Sequence, residues 1–266
     1  MTKRATGTKE WAAHSHNITN GCEHGCVYCY ARTAAIRKGR RTPENWMDPE
    51  PIHGNIQWRR GLKSGTVMFP TQHDITPANV DDAVKTLKGM LKAGNDVLIV
   101  SKPHLNVIRR FCLDLEPWKD QILFRFTIGA VDDEILSLWE PGAPLFRERF
   151  ACLRLALGAG FATSVSMEPL LETEEDDIVE MVEILSFWVT DSIWIGKANL
   201  LTERLRENGF DTPEHMVPAG ELLGSQTNSR ILSLYERLKN HPKVKWKDSI
   251  KTVVGIATPD EAGLDI

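Results

Sequence analysis

Three of the five cysteines of the chain lie within eight positions, in the stretch NGCEHGCVYCYAR. Three residues separate Cys22 from Cys26 and two separate Cys26 from Cys29, with Tyr28 directly before the last thiol. Thiolates at this spacing can share a metal centre, and each iron of a cubane iron–sulfur cluster needs a ligand that is usually cysteine. Three cysteines leave the fourth iron open, so the spacing favours a 4Fe–4S cluster that binds a further molecule.

A structural zinc site is the alternative, and it needs four ligands. The fourth ligand would be one of the three histidines near the cysteines, which are His14, His16 and His24. Three thiols with a purely structural role would not need this spacing. The cluster and the zinc site therefore both stay open at this point, with the cluster favoured.

The composition is that of a globular protein. Of the 266 residues, 42% are hydrophobic and 26% are charged, which is enough to bury a sizeable core. There is no run of about 18 apolar residues, so we expect no membrane span, and the first residues lack the apolar stretch of a secretory signal. Five cysteines with three bunched together do not resemble a disulfide framework, and we expect a reducing compartment, the cytoplasm.

The net charge of −4 is unevenly distributed. Residues 1–63 carry 11 Lys and Arg against 5 Asp and Glu, whereas the remainder is acidic. The basic groups include RKGRR at 37–41 and WRR at 58–60. This surplus near the cysteines predicts an anionic partner, and the hypothesis is nucleic acid bound through segment 32–63. A solvated basic loop explains the same pattern.

Short apolar runs alternate with helical patterns from residue 66 onward. The runs are TVMF (66–69), DVLIV (96–100), ILFRFTI (122–128), ATSVSM (162–167) and SIWIG (192–196). Strands that alternate with helices over short connections are typical of a parallel sheet covered by helices.

A first strand predicted at 11–17 brings the count to six strand–helix units, which end near residue 209. A complete eight-unit barrel usually needs about 250 residues of such units. We therefore predict an α/β fold, a partial (β/α)6 TIM-like barrel of parallel strands over residues 1–209. Residues 210–266 are predicted as a short C-terminal extension, a helix at 227–239 and a hairpin-like segment, packed on the same domain.

The cysteine motif, Cys22-x-x-x-Cys26-x-Tyr28-Cys29, resembles that of the radical S-adenosylmethionine (radical SAM) enzymes, with the aromatic residue in its expected place. The longer string GCEHGCVYCYAR is similar to the branch that contains spore photoproduct lyase. Two downstream segments, VSKPHLNVIRRF and LWEPGAPLFRERFACLRLALGAGF, also resemble that branch. The resemblance runs from about residue 17 to 172.

The resemblance implies a specific chemistry. The three cysteines would hold three irons of a 4Fe–4S cluster, and the amino and carboxylate groups of S-adenosylmethionine would chelate the fourth. One electron from an external donor of the flavodoxin or ferredoxin type would then produce a 5′-deoxyadenosyl radical, which abstracts hydrogen from a substrate.

Three functions are weighed for the chain. The branch and the basic surplus favour a nucleic acid or nucleotide substrate, to be repaired, rearranged or modified. Modification or isomerisation of a peptide or small metabolite is the second possibility. A zinc-stabilised nucleic-acid-binding module without catalysis is the third, and the β–α pattern argues against it because small zinc modules need no such scaffold.

Residues after the second and third strands are candidates for binding S-adenosylmethionine, because ligands of parallel α/β folds bind at the carboxyl ends of strands. Thr71, Gln72 and Asp74 follow strand two, and a carboxylate at Asp74 can accept from the methionine ammonium. An Asx-type turn explains this stretch equally well. Ser101 and Lys102 follow strand three, where Lys102 resembles the family's partner for the methionine carboxylate.

Later strands contribute further candidates. Thr127 ends strand four, at the position of a family serine that touches the ribose. Tyr28 is expected to pack on the adenine, as the aromatic residue of the motif does. Glu168 and Lys197 close strands five and six, where each would meet cofactor or substrate or form an ion pair.

One departure from the family concerns the substrate. Spore photoproduct lyase carries a hydrogen-donating cysteine in the loop after strand two, and the corresponding PTQHDI (70–75) has none. Cys112 and Cys152 lie in helical patterns and are predicted as core residues. The resemblance therefore supports the cofactor chemistry and does not support thymine-lesion repair by that mechanism.

Overall fold

The computed structural model of the chain describes residues 5–263. Its central sheet has seven strands, each parallel to its neighbours and arranged in the order of the sequence. These strands are β1 (His14–Ser15), β4 (Val67–Phe69), β5 (Val97–Ser101), β6 (Ile122–Thr127), β7 (Ala162–Met167), β8 (Ile193–Ile195) and β9 (Val244–Trp246). Two further short strands, β2 (Thr19–Asn20) and β3 (Glu50–Pro51), pair antiparallel with each other.

Helices follow the strands along the chain. They are α1 (Tyr30–Arg37), α2 (Val80–Lys92), α3 (Leu105–Asp114), α4 (Asp133–Trp139), α5 (Phe146–Gly158), α6 (Glu175–Ser186), α7 (Leu201–Glu207), α8 (Pro213–Ser225), α9 (Asn228–Leu238) and α10 (Asp248–Val254). No helix in the described part of the chain is both long enough and apolar enough to cross a membrane.

The strands are apolar because both faces of the sheet are covered. Phe124 and Phe126 of β6 are fully buried, and Phe124 stacks on Phe111 of α3 in the layer between sheet and helices. A smaller cluster that includes Met68 and Trp194 lies on the inner face. The core thus fixes the strands from both sides, and their carboxyl ends form a rigid rim.

The predicted α/β fold with a partial barrel of parallel strands is confirmed. The sheet differs from the prediction in having a seventh strand, because residues 244–246 pair parallel with residues 193–195. The segment predicted as hairpin-like is therefore strand β9 followed by helix α10, and the sequence analysis also missed helix α8.

A buried ion cluster links the segments next to the two edge strands, β1 and β9. The carboxylate of Glu10, just before β1, is 2.7 Å from Nζ of Lys247 and 3.5 Å from Nζ of Lys251. Each of these three residues is at most 1% exposed. Lys247 also donates to the carbonyl of Gly7 at 2.7 Å. Side chains therefore hold the two edges together where no strand pairing does.

Candidate active site

A cavity of about 710 Å³ opens at the carboxyl ends of the strands. This volume is within the usual range for small-molecule sites, about 300–1,000 Å³. The three clustered cysteines line it, and so do eight further side chains that the sequence singled out: Tyr28, Thr71, Gln72, Asp74, Lys102, Thr127, Glu168 and Lys197. Ser101, the remaining candidate, does not line the cavity, and its hydroxyl donates to the Asp74 carboxylate, which does.

The three cavity cysteines are free thiols, and Cys22 and Cys26 are buried. The backbone N–H of Asp74 donates to Sγ of Cys22, and that of Arg32 to Sγ of Cys29, each at 3.4 Å. Burial raises the pKa of all three thiols, that of Cys22 to about 12 with a further contribution from Asp74. Neutral thiols are thus strongly favoured until a cation binds, and three such donors at one cavity wall fit an iron–sulfur cluster.

The other two cysteines do not line the cavity. Cys152 is fully buried and Cys112 is half-buried, and both pack in the main hydrophobic core. The prediction that they are core residues agrees with this placement.

His24 is committed to hydrogen bonds within the protein. Its Nδ1 is 2.9 Å from Oδ2 of Asp74, and its Nε2 is 2.9 Å from Nε2 of His104. Donor atoms of Cys22, His24 and Asp74 lie within 4.8 Å of one another, a geometry that could also suit a metal ion. We interpret the trio as a hydrogen-bonded support, because both ring nitrogens of His24 already have partners. The other two histidines considered for zinc, His14 and His16, do not line the cavity.

The loop that carries the cysteines rests on the segment after α4. The N–H of Val27 donates to the carbonyl of Trp139 at 3.0 Å, and that of Gly142 donates to the carbonyl of His24 at 2.9 Å. A Cβ at Gly142 would be 2.5 Å from the carbonyl oxygen of Glu23. Only glycine therefore permits this approach of the two backbones.

Asp74 is the centre of the network beside the cysteines. Its Oδ1 accepts from Oγ of Ser101 at 2.9 Å and from the N–H of Lys102 at 2.8 Å, and its Oδ2 is 3.6 Å from Nζ of Lys102. Burial would raise the pKa of Asp74, but Lys102 and His24 outweigh burial and hold it well below its ordinary value. The structure therefore brings Asp74, Ser101 and Lys102 together, with an ionised carboxylate that orients the lysine.

Glu140 and Arg149 form a buried support beneath Lys102 and Tyr28. Nζ of Lys102 is 3.9 Å from Oε1 of Glu140 and 5.8 Å from the centre of the Tyr28 ring. The hydroxyl of Tyr28 donates to Glu140, and Arg149 pairs with the same carboxylate at 2.5 Å. Sequence analysis assigned no role to Glu140 or Arg149, although both lie in the quoted segment LWEPGAPLFRERF. A glutamate in an otherwise apolar stretch was the available signal.

The loop after β4 is held by Asn17. The N–H groups of Thr71 and Gln72 both donate to Oδ1 of Asn17 at 2.8 Å, and the carbonyl of Thr71 accepts from the hydroxyl of Tyr30. These contacts shape the loop and leave the Gln72 side chain on the cavity wall. Asn17 and Tyr30 were not singled out from the sequence.

The later strands supply the opposite wall. Thr127 lines the cavity, and its carbonyl accepts from Arg149 at 3.2 Å. Oε2 of Glu168 is 3.4 Å from Nζ of Lys247, and burial raises the pKa of Glu168 against the opposing effect of that lysine. Glu168 therefore has the ion-pair partner that one interpretation of the sequence expected. The side chain of Lys197 reaches the cavity after β8.

Part of the basic segment is committed to internal contacts. Arg37 pairs with Glu203 and Glu207 at 2.5 Å each. Arg41 is buried, donates to a backbone carbonyl and lies 3.0 Å from Glu50. The exposed cations that remain for a polyanion are Lys38, Arg40, Arg59 and Arg60.

The amino-acid sequence is similar to those of known proteins. The sequence model of the Radical SAM superfamily matches residues 16–185. The uncharacterized protein ORF301 of Acidianus two-tailed virus is 26% identical over 250 residues, which cover 86% of this chain and 81% of the viral protein.

Two solved structures share the fold. A spore photoproduct lyase mutant with dinucleoside spore photoproduct aligns with a TM-score of 0.53 at 14% identity, over 92% of this chain and 79% of the lyase. SuiB of Streptococcus suis, bound to the precursor peptide SuiA, aligns with a TM-score of 0.55 at 10% identity, over 92% of this chain and 51% of SuiB. With its match to the superfamily model over more than half its length, the chain belongs to the radical SAM superfamily of enzymes, which use a 4Fe–4S cluster and S-adenosylmethionine.

Proposed function

We propose that Cys22, Cys26 and Cys29 hold the 4Fe–4S cluster and that S-adenosylmethionine binds beside them in the cavity. The observation that carries the proposal is that three free thiols share one cavity with a lysine and a carboxylate suited to an amino acid. When bound and reduced, the two cofactors supply a 5′-deoxyadenosyl radical that abstracts hydrogen from the substrate. The protein's own residues bind, orient and exclude water.

Residues around the cysteines are assigned to S-adenosylmethionine. Lys102 holds the methionine carboxylate, and Asp74 orients Lys102 and accepts from the methionine ammonium. The ring of Tyr28 packs on the adenine, fixed by its hydrogen bond to Glu140. The other cofactor-binding residues in this proposal are Thr71, Gln72, Ser101, Thr127, Glu168 and Lys197.

The substrate in this proposal is a nucleic acid or a nucleotide, repaired, rearranged or modified. Two observations support it: the shared fold with a lyase that was solved with a dinucleoside photoproduct, and the exposed cations of segment 32–63. A peptide is the second candidate, favoured by the shared fold with SuiB, which was solved with a precursor peptide. We further propose a cytoplasmic location and a flavodoxin or ferredoxin as electron donor, in keeping with five free thiols.

An anaerobic assay for 5′-deoxyadenosine tests the function. The reconstituted protein is reduced with dithionite in the presence of S-adenosylmethionine and, in parallel, DNA, RNA, nucleotide or peptide pools. We expect 5′-deoxyadenosine from the wild type, none from Cys26→Ala, and a higher yield with a nucleotide-containing pool. A yield raised only by the peptide pool would replace the nucleotide proposal. No 5′-deoxyadenosine under any condition would contradict the radical chemistry.

A further inference from the structure

Three cationic residues that line the cavity, Lys9, Lys197 and Arg204, form no ion pair in the described part of the chain, and the last two are partly buried. Lys197 follows β8, and Arg204 lies one helical turn into the next segment, in α7. Both line the cavity and both are half-buried. Within residues 5–263, neither the Nζ of Lys197 nor the guanidinium of Arg204 makes a hydrogen bond or an ion pair. Lys102, which follows β5, is paired with Asp74.

The acidic residues of the cavity do not neutralise these two cations. Asp74 is held by Lys102 and His24, and Glu168 by Lys247. Asp248 also lines the cavity and, within residues 5–263, forms no ion pair with Lys197 or Arg204. Burying a charge without an ion-pair partner is costly, and burial lowers the pKa of Arg204 by more than Cys29 and Glu168 raise it. An anionic ligand at this wall would remove that cost.

The backbone between the two cations has an unusual conformation. Leu200 has a φ of 52°, the only non-glycine residue in the left-handed region in the described part of the chain. Its carbonyl accepts from the N–H of Arg204 at 2.9 Å, so this residue begins helix α7, which carries Arg204. The Leu200 side chain is 61% exposed and lines the cavity. Strained conformations of this kind are concentrated at ligand sites.

The anion at this wall is distinct from the methionine carboxylate assigned to Lys102. Lys102 follows β5 and Lys197 follows β8, so three strand spacings separate the two positions in the sheet. Each spacing is about 4.8 Å, so the two lysines start from well-separated positions on the rim. Because Lys102 is already assigned to the methionine carboxylate, an anion at Lys197 and Arg204 is attributed to the substrate.

We propose that Lys197 and Arg204 form an anion-binding subsite for the phosphodiester of the substrate, with exposed Leu200 as an adjoining apolar surface. This inference rests on the proposed function, reassigns Lys197 from S-adenosylmethionine to the substrate, and adds a phosphate contact inside the cavity to those proposed for segment 32–63. A bidentate guanidinium and an ammonium are suited to phosphate oxygens. A phosphate bound at this subsite also fixes the position of the substrate relative to the cluster.

Binding of a defined dinucleotide tests the subsite. Thymidylyl-(3′→5′)-thymidine and its uncharged methylphosphonate analogue are titrated into the anaerobic, unreduced holoprotein saturated with S-adenosylmethionine. We expect the wild type to bind the charged dinucleotide at least tenfold more tightly, and Arg204→Gln or Lys197→Gln to remove that preference. Charged hydrogen bonds of this kind correspond to about a tenfold to hundredfold change in affinity. Arg206→Gln, on the same helix and 60% exposed on its side chain, is the matched control and keeps the preference.

Three outcomes overturn the subsite. No binding of the charged dinucleotide to the wild type, or equal binding of the two probes, removes the phosphate from this wall. A loss of preference in Lys38→Gln or Arg40→Gln, with none in Arg204→Gln, returns the contact to the basic segment. Weakened S-adenosylmethionine binding in Arg204→Gln, with dinucleotide preference retained, makes the arginine a cofactor ligand. Formation of 5′-deoxyadenosine is scored separately, so a failed subsite is distinguished from failed radical chemistry.

Discussion

Arg149 and Glu140 form an ion pair of 2.5 Å in which both side chains are 0% exposed. Removing one partner of a fully buried pair leaves an uncompensated charge, which typically costs about 3–5 kcal/mol. Arg149→Met should therefore lower the free energy of unfolding by about that amount in urea denaturation. Arg147→Met, at an exposed position of the same helix, should cause no measurable change. Equal effects of the two substitutions would mean that the pair contributes nothing specific.

The same pair predicts a pH dependence. Burial would raise the pKa of Glu140, but Arg149 and Lys102 lower it below its ordinary value of 4.5. A carboxyl with a depressed folded-state pKa contributes stability above about pH 4.5, and this contribution is lost as the pH falls through the folded-state pKa. The difference in unfolding free energy between wild type and Glu140→Gln should therefore be constant from pH 5 to 7 and shrink below pH 4.5. Glu134→Gln, at an exposed position, is the control.

Replacement of the clustered cysteines should abolish cluster binding. Cys22→Ala, Cys26→Ala and Cys29→Ala should each lose the cluster absorbance and most of the iron after anaerobic reconstitution, since each removes the ligand of one iron. Cys112→Ala and Cys152→Ala remove core thiols and should retain the iron. Full iron content in Cys26→Ala would show that another residue completes the site.

Lys102→Ala should weaken S-adenosylmethionine binding and leave the iron content unchanged. A hydrogen bond to a charged group is worth about 1.5–3 kcal/mol, which corresponds to a tenfold to hundredfold loss in affinity. Anaerobic calorimetry on the reconstituted protein measures it. Lys119→Ala, in the turn before β6 at the opposite end of the sheet, is the control. Unchanged affinity would mean that Lys102 pairs with Asp74 and Glu140 and does not bind S-adenosylmethionine.

Buried and exposed cations of the basic segment should respond differently to substitution. Arg41→Gln removes a buried contact to Asn20 and should lower the melting temperature without changing the salt dependence of nucleic-acid binding. Lys38→Gln together with Arg40→Gln removes two exposed charges. If segment 32–63 contacts phosphates, this double variant should flatten the slope of log K against log salt by roughly two units. Fluorescence anisotropy at several salt concentrations measures the slope for each variant. An unchanged slope in the double variant would exclude this surface as a phosphate-binding site.

The strand pattern was readable from the sequence because most sheet strands are buried on both faces. Val97–Ser101 and Ala162–Met167 coincide with predicted apolar runs to within a residue. Strand Val244–Trp246 was misread because it has three residues, alternates with lysines and is only half-buried at the sheet edge. Polar alternation of this kind also describes a hairpin, and only the pairing with Ile193–Ile195 distinguishes the two.

The cysteines and the cavity residues after each strand were predictable because parallel strands deliver their loops to one rim. The residues that hold them in place were not predictable from the sequence. Glu140 and Arg149 carry charges that a sequence places at the surface by default, and their complete burial follows from tertiary packing alone. The contact of His24 with His104 joins positions 80 residues apart, and no local spacing indicates it.

The ion cluster of Glu10, Lys247 and Lys251 lies where the sheet does not close on itself. Strands β1 and β9 bound the sheet and share no backbone ladder in the described part of the chain. Two backbone hydrogen bonds also join the flanking segments, from the N–H of Ala5 to the carbonyl of Pro259 and from the N–H of Gly263 to the carbonyl of Lys9. At this seam, buried charge pairs and two isolated backbone bonds therefore replace the strand pairing that joins the other neighbours in the sheet.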